Sequence, residues 1–211
     1  MQHDRPAGFA LIGGTIAGLA TMAAHPTGHE LRASFERVAL LNQSVHALAI
    51  AGTIVTVYGL VGLRRALDGR RSLADAALVS YAFGAVAVMF AAIASGFIGT
   101  ALAAQVLEVA DAGRAAWEPL HEYNWAFNQA CTKVFVVAGS VGIALFSFAM
   151  LSEPAFGTAL GITGMVVGAA ATVATVAGLR MDIHGFGAIV LGHGTWLIWT
   201  GLKLLPRRES A

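Results

Sequence analysis

The sequence predicts an all-α integral membrane protein, folded as a single bundle of six transmembrane helices. Three observations lead to this prediction. First, 57% of the 211 residues are hydrophobic and only 12% are charged, whereas soluble domains carry about 25% charged residues. Second, the chain contains six apolar runs long enough to cross a bilayer. Third, basic residues concentrate in connections that would lie on one side of such a bundle.

The six runs are defined by length and polarity, since a spanning helix needs roughly 20 predominantly apolar residues. They cover residues 7–24, 38–63, 73–104, 120–151, 155–179 and 183–205. The whole chain therefore forms one transmembrane domain, and we expect the runs to pair in order as three consecutive hairpins.

The first run also has the character of a secretory signal peptide, because Arg5 precedes it and small residues end it. A cleavage site near Ala24 would need a small residue at the third position back, where Met22 stands instead. We therefore expect residues 1–24 to be retained as the first helix.

Glycine is abundant, with 25 residues. Three pairs follow the spacing that brings membrane helices into close contact. The pairs are Gly14 with Gly18, Gly157 with Gly161, and Gly164 with Gly168. We expect these glycines to serve helix packing.

Orientation follows from the arginines, because Lys and Arg accumulate in cytoplasmic connections. The short connection 64–71 carries four arginines. This places that connection and both termini in the cytoplasm, and the opposite ends of the helices on the outer side. The predicted location is a bacterial-type inner membrane, crossed several times.

Several classes of function are disfavoured. A net charge of +1 predicts no nucleic-acid partner. The single cysteine, Cys131, excludes an intrachain disulfide and a multi-cysteine metal site. No glycine-rich nucleotide-binding motif is present, which argues against ATP-driven transport by this chain alone. The expected partner is the lipid bilayer, with a membrane partner subunit or a homo-oligomer left open.

Histidines and acidic residues gather near the predicted outer ends of the helices. Imidazole nitrogens and carboxylates are ligands of transition metals. One hypothesis is therefore an outward-facing site for a divalent transition metal or a haem, with an enzymatic role left open. The candidate metal ligands are His25, His29, His46, His121, His184, Glu30, Glu122 and Asp182.

Amide side chains and one lysine begin the second and fourth runs. Such groups are costly in a membrane unless they face a wet cavity or one another. The alternative hypothesis is a small-solute transporter or binding module with an outer polar vestibule, in which Lys133 binds an anion. The candidate vestibule residues are Asn42, Gln43, Asn124, Asn128, Gln129 and Lys133. Taken singly, several of them are also explained by solvation at the membrane interface.

His193 lies deeper, nine residues beyond His184 and between two glycines. It is either a neutral histidine bonded to a neighbouring helix or a cofactor-binding residue that handles a metal, a haem or protons. A third hypothesis for the whole chain is an accessory subunit of a membrane complex, because the connections are short and no soluble domain is present.

Overall fold

The computed structural model describes residues 4–26, 35–108 and 116–205. Within these ranges the chain is helical, with no strand. The helices are α1 (Arg5–Ala24), α2 (Phe35–Ala66), α3 (Arg71–Ile93), α4 (Gly99–Glu108), α5 (Glu118–Met150), α6 (Thr158–Val176) and α7 (Ile183–Leu204). A 3-10 turn, Asp68–Arg70, precedes α3, and a π-helical turn, Ala94–Ile98, joins α3 to α4. Residues 68–108 are therefore one helical stretch of 41 residues.

Each of the six predicted runs corresponds to a helical stretch of the described chain. Five of these stretches are long and apolar enough to cross a membrane, namely α1, α2, the stretch 68–108, α5 and α6. Helix α7 falls outside this set, since its glycines and its two histidines lower its mean hydropathy. The protein is thus a helical bundle with the character of a multi-pass membrane protein.

The helices form a closed ring in chain order. Helix α1 packs against α2, α2 against α3, α3 against α5, and α5 against α6, while α7 packs against both α6 and α1. Large side chains such as Phe146 and Trp196 are buried inside the ring. Others, such as Phe83 and Val173, are about two-thirds exposed on its outside. That outer surface suits lipid, because apolar side chains incur no cost there.

Glycine brings α1 close to both of its neighbours. A methyl group at Gly14 would lie 2.6 Å from the carbonyl oxygen of Gly52, and one at Gly8 would lie 2.8 Å from that of Gly201. The packing prediction is therefore confirmed for Gly14. It is wrong for Gly18, where a methyl group would meet nothing within 4 Å, because that position opens onto a cavity.

Helix α6 packs on α5 through its own glycines. Methyl groups at Gly161, Gly164 and Gly168 would each collide with atoms of α5. The packing prediction is wrong for Gly157, which has φ +80° and precedes α6 in a turn with no neighbour within 4 Å of an added methyl group. Glycine is favoured there because other residues rarely adopt positive φ.

The arginine-rich end of the ring is held by polar contacts. Arg64 of α2 donates from Nε to Oδ1 of Asp75 at 2.5 Å and from Nη2 to Oδ2 at 3.2 Å. Arg70 donates to the Ser152 hydroxyl at 2.9 Å. The first contact joins α2 to α3, and the second joins the turn before α3 to the residues after α5. Both lie at the end of the bundle opposite the predicted histidine cluster.

Candidate functional site

The π-helical turn Ala94–Ile98 interrupts the long helical stretch at the histidine-bearing end of the bundle. Turns of this type are rare and occur frequently at functional sites. Small residues allow α2 to approach it closely, since a methyl group at Gly96 would lie 2.6 Å from Cγ of His46. The irregular turn and His46 are therefore in direct contact.

Asn42 of α2 fixes this turn from one side. Its Nδ2 donates to the Ser95 carbonyl oxygen at 3.1 Å and to the Thr100 hydroxyl at 3.0 Å. Thr100 in turn donates to the Gly96 carbonyl oxygen at 2.7 Å. The Ser95 and Gly96 carbonyl oxygens of the π turn are therefore hydrogen-bonded. These bonds stabilise the turn, because a buried acceptor without a partner is costly.

Two asparagines of α5 fix the same region from the other side. Asn124 donates to the Ala94 carbonyl oxygen at 3.0 Å, and Asn128 donates to the Ala91 carbonyl oxygen at 2.8 Å. A carbonyl oxygen only accepts, so the amide nitrogen of each asparagine must face it. Three of the amides predicted to line a vestibule thus each donate at least one hydrogen bond to the backbone of α3 or the π turn.

His25 and His46 form a pair beside the turn, with ring centres 5.0 Å apart and planes at 72°. Nδ1 of His46 lies 2.7 Å from the Asn42 carbonyl oxygen, and Nδ1 of His25 lies 3.1 Å from that of Pro26. Both Nδ1 atoms must carry the proton, because carbonyl oxygens only accept. In the neutral rings both Nε2 atoms therefore present a lone pair.

This arrangement is typical of metal-binding histidines, whose second nitrogen usually donates to a carbonyl or carboxylate. Two imidazoles that bind one tetrahedral ion at about 2.0–2.1 Å have ring centres about 5 Å apart. Residues 4–26, 35–108 and 116–205 nevertheless contain no group of three or more His, Cys, Asp or Glu side chains arranged to hold a metal ion. The described protein thus supplies at most a pair of such ligands here.

The histidine pair lines a cavity of about 220 Å³, the outer cavity, which is enclosed by α1, α2, α3, α5 and the start of α7. Its polar lining residues are Thr21, His25, His46, Ser95, Asn128, Gln129, Thr132 and Asp182. Its larger apolar lining residues are Met22, Val88, Trp125, Met181, Ile183 and Phe186. No lysine or arginine is among the lining residues.

Some hydrogen-bond donors of this lining are paired within the protein, whereas the Ser95 hydroxyl and the Trp125 indole nitrogen have no partner among the described residues. Gln129 donates from Nε2 to the Met181 carbonyl oxygen at 3.3 Å and to Oδ1 of Asn128 at 3.4 Å. Thr21 and Thr132 donate to backbone carbonyl oxygens at 3.0 and 2.9 Å. The polar atoms that remain for a ligand include two acceptors, Nε2 of His25 and Nε2 of His46, together with the donors of Ser95 and Trp125.

Asp182 brings a carboxylate to the lining and caps the N-terminus of α7, and its Oδ2 lies 3.7 Å from Nε of the exposed Arg180. Its Oδ1 accepts from the backbone nitrogens of Gly185 at 2.9 Å and His184 at 3.1 Å. The bond from Gly185 first, and then that from His184, lowers the pKa of the Asp182 carboxyl below its ordinary value of 3.8. The carboxylate is therefore ionised at neutral pH.

The remaining predicted site residues are dispersed. His121 is half-buried and lines a separate side cavity of about 260 Å³, which shares His25 and Ser95 with the outer cavity. Gln43 is half-buried and makes no side-chain hydrogen bond to the described residues. His184, Glu122 and Lys133 are exposed and do not line the outer cavity. His29 and Glu30 lie outside the described residues.

His193 is 3% exposed in the interior of the ring. Its Nε2 lies 2.9 Å from the Ser140 hydroxyl of α5, and its ring packs edge-on against Phe135. This is the bond to a neighbouring helix that the sequence offered as one explanation. A cofactor-binding role for His193 stays a prediction.

The lining residues Trp125, Met181 and Phe186 were missed from the sequence, and only their apolar character could have signalled them. Comparison with known protein families, curated proteins and solved structures finds no match for this chain. The chemistry of the outer cavity is therefore the basis on which a function can be proposed.

Proposed function

We propose that this protein binds a small cation in the outer cavity. The observation that carries the proposal is the pair of free Nε2 acceptors of His25 and His46, in a lining that holds a carboxylate and neither lysine nor arginine. A cation needs acceptors and is favoured by the Asp182 carboxylate. An anion would need a positive side chain, and Lys133 is exposed on α5 away from the lining.

A transition-metal ion is the first kind of cation. Nε2 of His25 and Nε2 of His46 would bind it, and their Nδ1 bonds to carbonyl oxygens would orient both rings. The other coordination positions would take water or a solute, as in metal sites that keep an open position. A haem is disfavoured, because about 220 Å³ is below the roughly 300–1,000 Å³ of pockets that hold drug-sized ligands.

A protonated organic amine is the second kind of cation that the cavity could bind, and the aromatic residues of the lining favour it. The rings of Trp125 and Phe186 line the same cavity as Asp182. Aromatic faces attract ammonium groups, and the thioethers of Met22 and Met181 adapt to irregular apolar ligands. A small amine would place its charged end toward the histidines and Asp182.

We also propose six membrane crossings, with both termini in the cytoplasm of a bacterial-type inner membrane. Helix α7 has 22 residues and thus a length of about 33 Å at 1.5 Å per residue, enough for the hydrocarbon core of a bilayer. The four arginines of 64–71 favour a cytoplasmic position for that end of the ring. The outer cavity would then open on the opposite side of the membrane.

Thermal unfolding of the detergent-purified protein tests the binding proposal. The additives are Zn²⁺, Co²⁺, n-butylammonium and, as the anion control, phosphate. A ligand at 100 times its Kd stabilises by about 2.7 kcal/mol, which raises the Tm of a chain of this size by roughly 5–11 °C. We expect a shift of this order with at least one cation and none with phosphate.

Matched variants locate the site. We expect His25→Ala to abolish the shift and His184→Ala, on the same side of the bundle but exposed, to keep it. A visible spectrum of tetrahedral Co²⁺ would assign the site to a metal, and a shift with n-butylammonium alone would assign it to an amine. No cation shift, or an equal shift in both variants, would overturn the proposal.

A further inference from the structure

A second cavity of about 110 Å³, the inner chamber, lies deeper in the ring. It extends from the outer cavity toward His193, which stands midway along α7. The two cavities share five lining residues, which define a throat between them: Thr21, Met22, Ala49, Val88 and Phe186. The chamber is therefore the inward continuation of the outer cavity.

The walls of the inner chamber carry polar groups in the interior of the bundle. They include the side chains of Thr15, Thr53, Thr56, Tyr81 and His193. Such groups are expensive in an apolar environment unless they are hydrogen-bonded. A cavity lined in this way differs from the purely apolar cavities that stay dry.

Two of these residues have a buried polar atom without a partner among the described residues, namely Nδ1 of His193 and Oγ1 of Thr15. They come from different helices, α7 and α1, which meet where a methyl group at Gly194 would lie 3.1 Å from Cγ2 of Thr15. Buried polar atoms that the protein leaves unpaired are commonly bonded to ordered water. The adjoining chamber is large enough to hold water beside them.

We propose that the inner chamber is a water-filled compartment, which fills through the outer cavity and brings water and small water-soluble reagents to His193. Water in the chamber pairs the His193 and Thr15 atoms that the protein leaves unsatisfied. Ser140 and Phe135 contact the His193 ring from α5, and the chamber lining reaches one helical turn beyond it, to Leu197. His193 therefore exchanges its ring proton with the outer cavity although it is almost fully buried.

Cysteine accessibility tests this proposal in the full-length protein. The only native cysteine is removed with Cys131→Ala. Thr53→Cys then introduces a thiol into the chamber wall, and Ile54→Cys introduces one at the next residue of α2, where the native side chain is 58% exposed on the outside of the ring. The two thiols lie at the same depth and differ in the surface that they face.

The probe is the uncharged, water-soluble reagent 2-hydroxyethyl methanethiosulfonate, and the readout is the labelling rate by mass spectrometry. Because only the hydrated thiolate reacts, we expect T53C to be labelled at least about tenfold faster than I54C. Closing the throat with Ala49→Phe should lower the T53C rate to that of I54C. Ser95→Cys lines only the outer of these two cavities and should keep its rate in the A49F background.

Val88→Phe provides a second closure of the throat if A49F does not fold. A T53C rate no greater than that of I54C would show a dry chamber and overturn the proposal. A fast T53C rate that neither closure lowers would show a different route and overturn it as well. The labelling needs no bound cation, so its outcome is independent of cation binding in the outer cavity.

Discussion

Removal of the Asn42 side chain should destabilise the π-helical turn without creating a large cavity in the core. Asn42→Ala deletes two hydrogen bonds, one to the Ser95 carbonyl oxygen and one to the Thr100 hydroxyl. It leaves the backbone carbonyl of residue 42 in place, so the bond from His46 Nδ1 is kept. The substitution therefore perturbs the support of the turn rather than the histidine pair.

The magnitude follows from the bonds that are lost. A buried hydrogen bond contributes about 0.5–1.5 kcal/mol, and side-chain bonds between membrane helices average about 0.6 kcal/mol. Two bonds therefore predict a loss of about 1–2 kcal/mol for N42A. Gln43→Ala is the matched control, because Gln43 makes no side-chain bond to the described residues, and surface-like substitutions stay within about 0.5 kcal/mol.

The assay is reversible unfolding of the purified protein in mixed micelles, followed by circular dichroism. A double-mutant cycle with Thr100→Val isolates the direct bond between the two side chains, and we expect a coupling of about 0.6 kcal/mol. If N42A were as stable as Q43A and the cycle showed no coupling, the asparagine support of the turn would be refuted.

The other predictions concern packing, pH and orientation. Gly14→Ala should destabilise by about 1–3 kcal/mol in the same unfolding assay, because its methyl group would meet the backbone of α2, whereas Gly13→Ala, with nothing within 4 Å, should be tolerated. Asp182→Ala should lower the Tm above pH 4. The pKa of Asp182 is lowered in the folded state, so the electrostatic part of the wild-type advantage is present above the ordinary value of 3.8 and is lost as the pH falls through the lower folded pKa; an advantage that does not decrease as the pH falls below 3.8 would contradict this account. A C-terminal green fluorescent protein fusion should fluoresce and an alkaline phosphatase fusion should be inactive, and the reverse pattern would refute the cytoplasmic C-terminus.

The helices could be predicted from the sequence because a bilayer imposes length and polarity directly. The predicted run 38–63 and the observed helix Phe35–Ala66 differ by three residues at each end. The π-helical turn could not be predicted, since it depends on partners from α2 and α5 that are distant in sequence. The local sequence around Ser95 and Gly96 mixes small residues with large apolar ones and does not itself indicate a π turn.

The site was predicted in part. Polar residues at the helix starts pointed to His46 and Asn128, both of which line the outer cavity. Their roles could not be distinguished, because the sequence does not reveal that Asn128 donates to a backbone carbonyl oxygen while Nε2 of His46 stays free. The vestibule candidates Gln129 and Lys133 differ in the structure, since Gln129 is half-buried at the cavity and Lys133 is exposed.

The most direct test of cation binding is isothermal titration of the wild-type protein, H25A and H184A with Zn²⁺, n-butylammonium and phosphate. The proposal predicts saturable binding of one cation per chain in the wild type and in H184A. It also predicts an affinity at least about tenfold weaker in H25A, equivalent to about 1.4 kcal/mol, and no binding of phosphate. Binding of phosphate alone, or equal cation affinity in all three proteins, would contradict a cation site at the histidine pair.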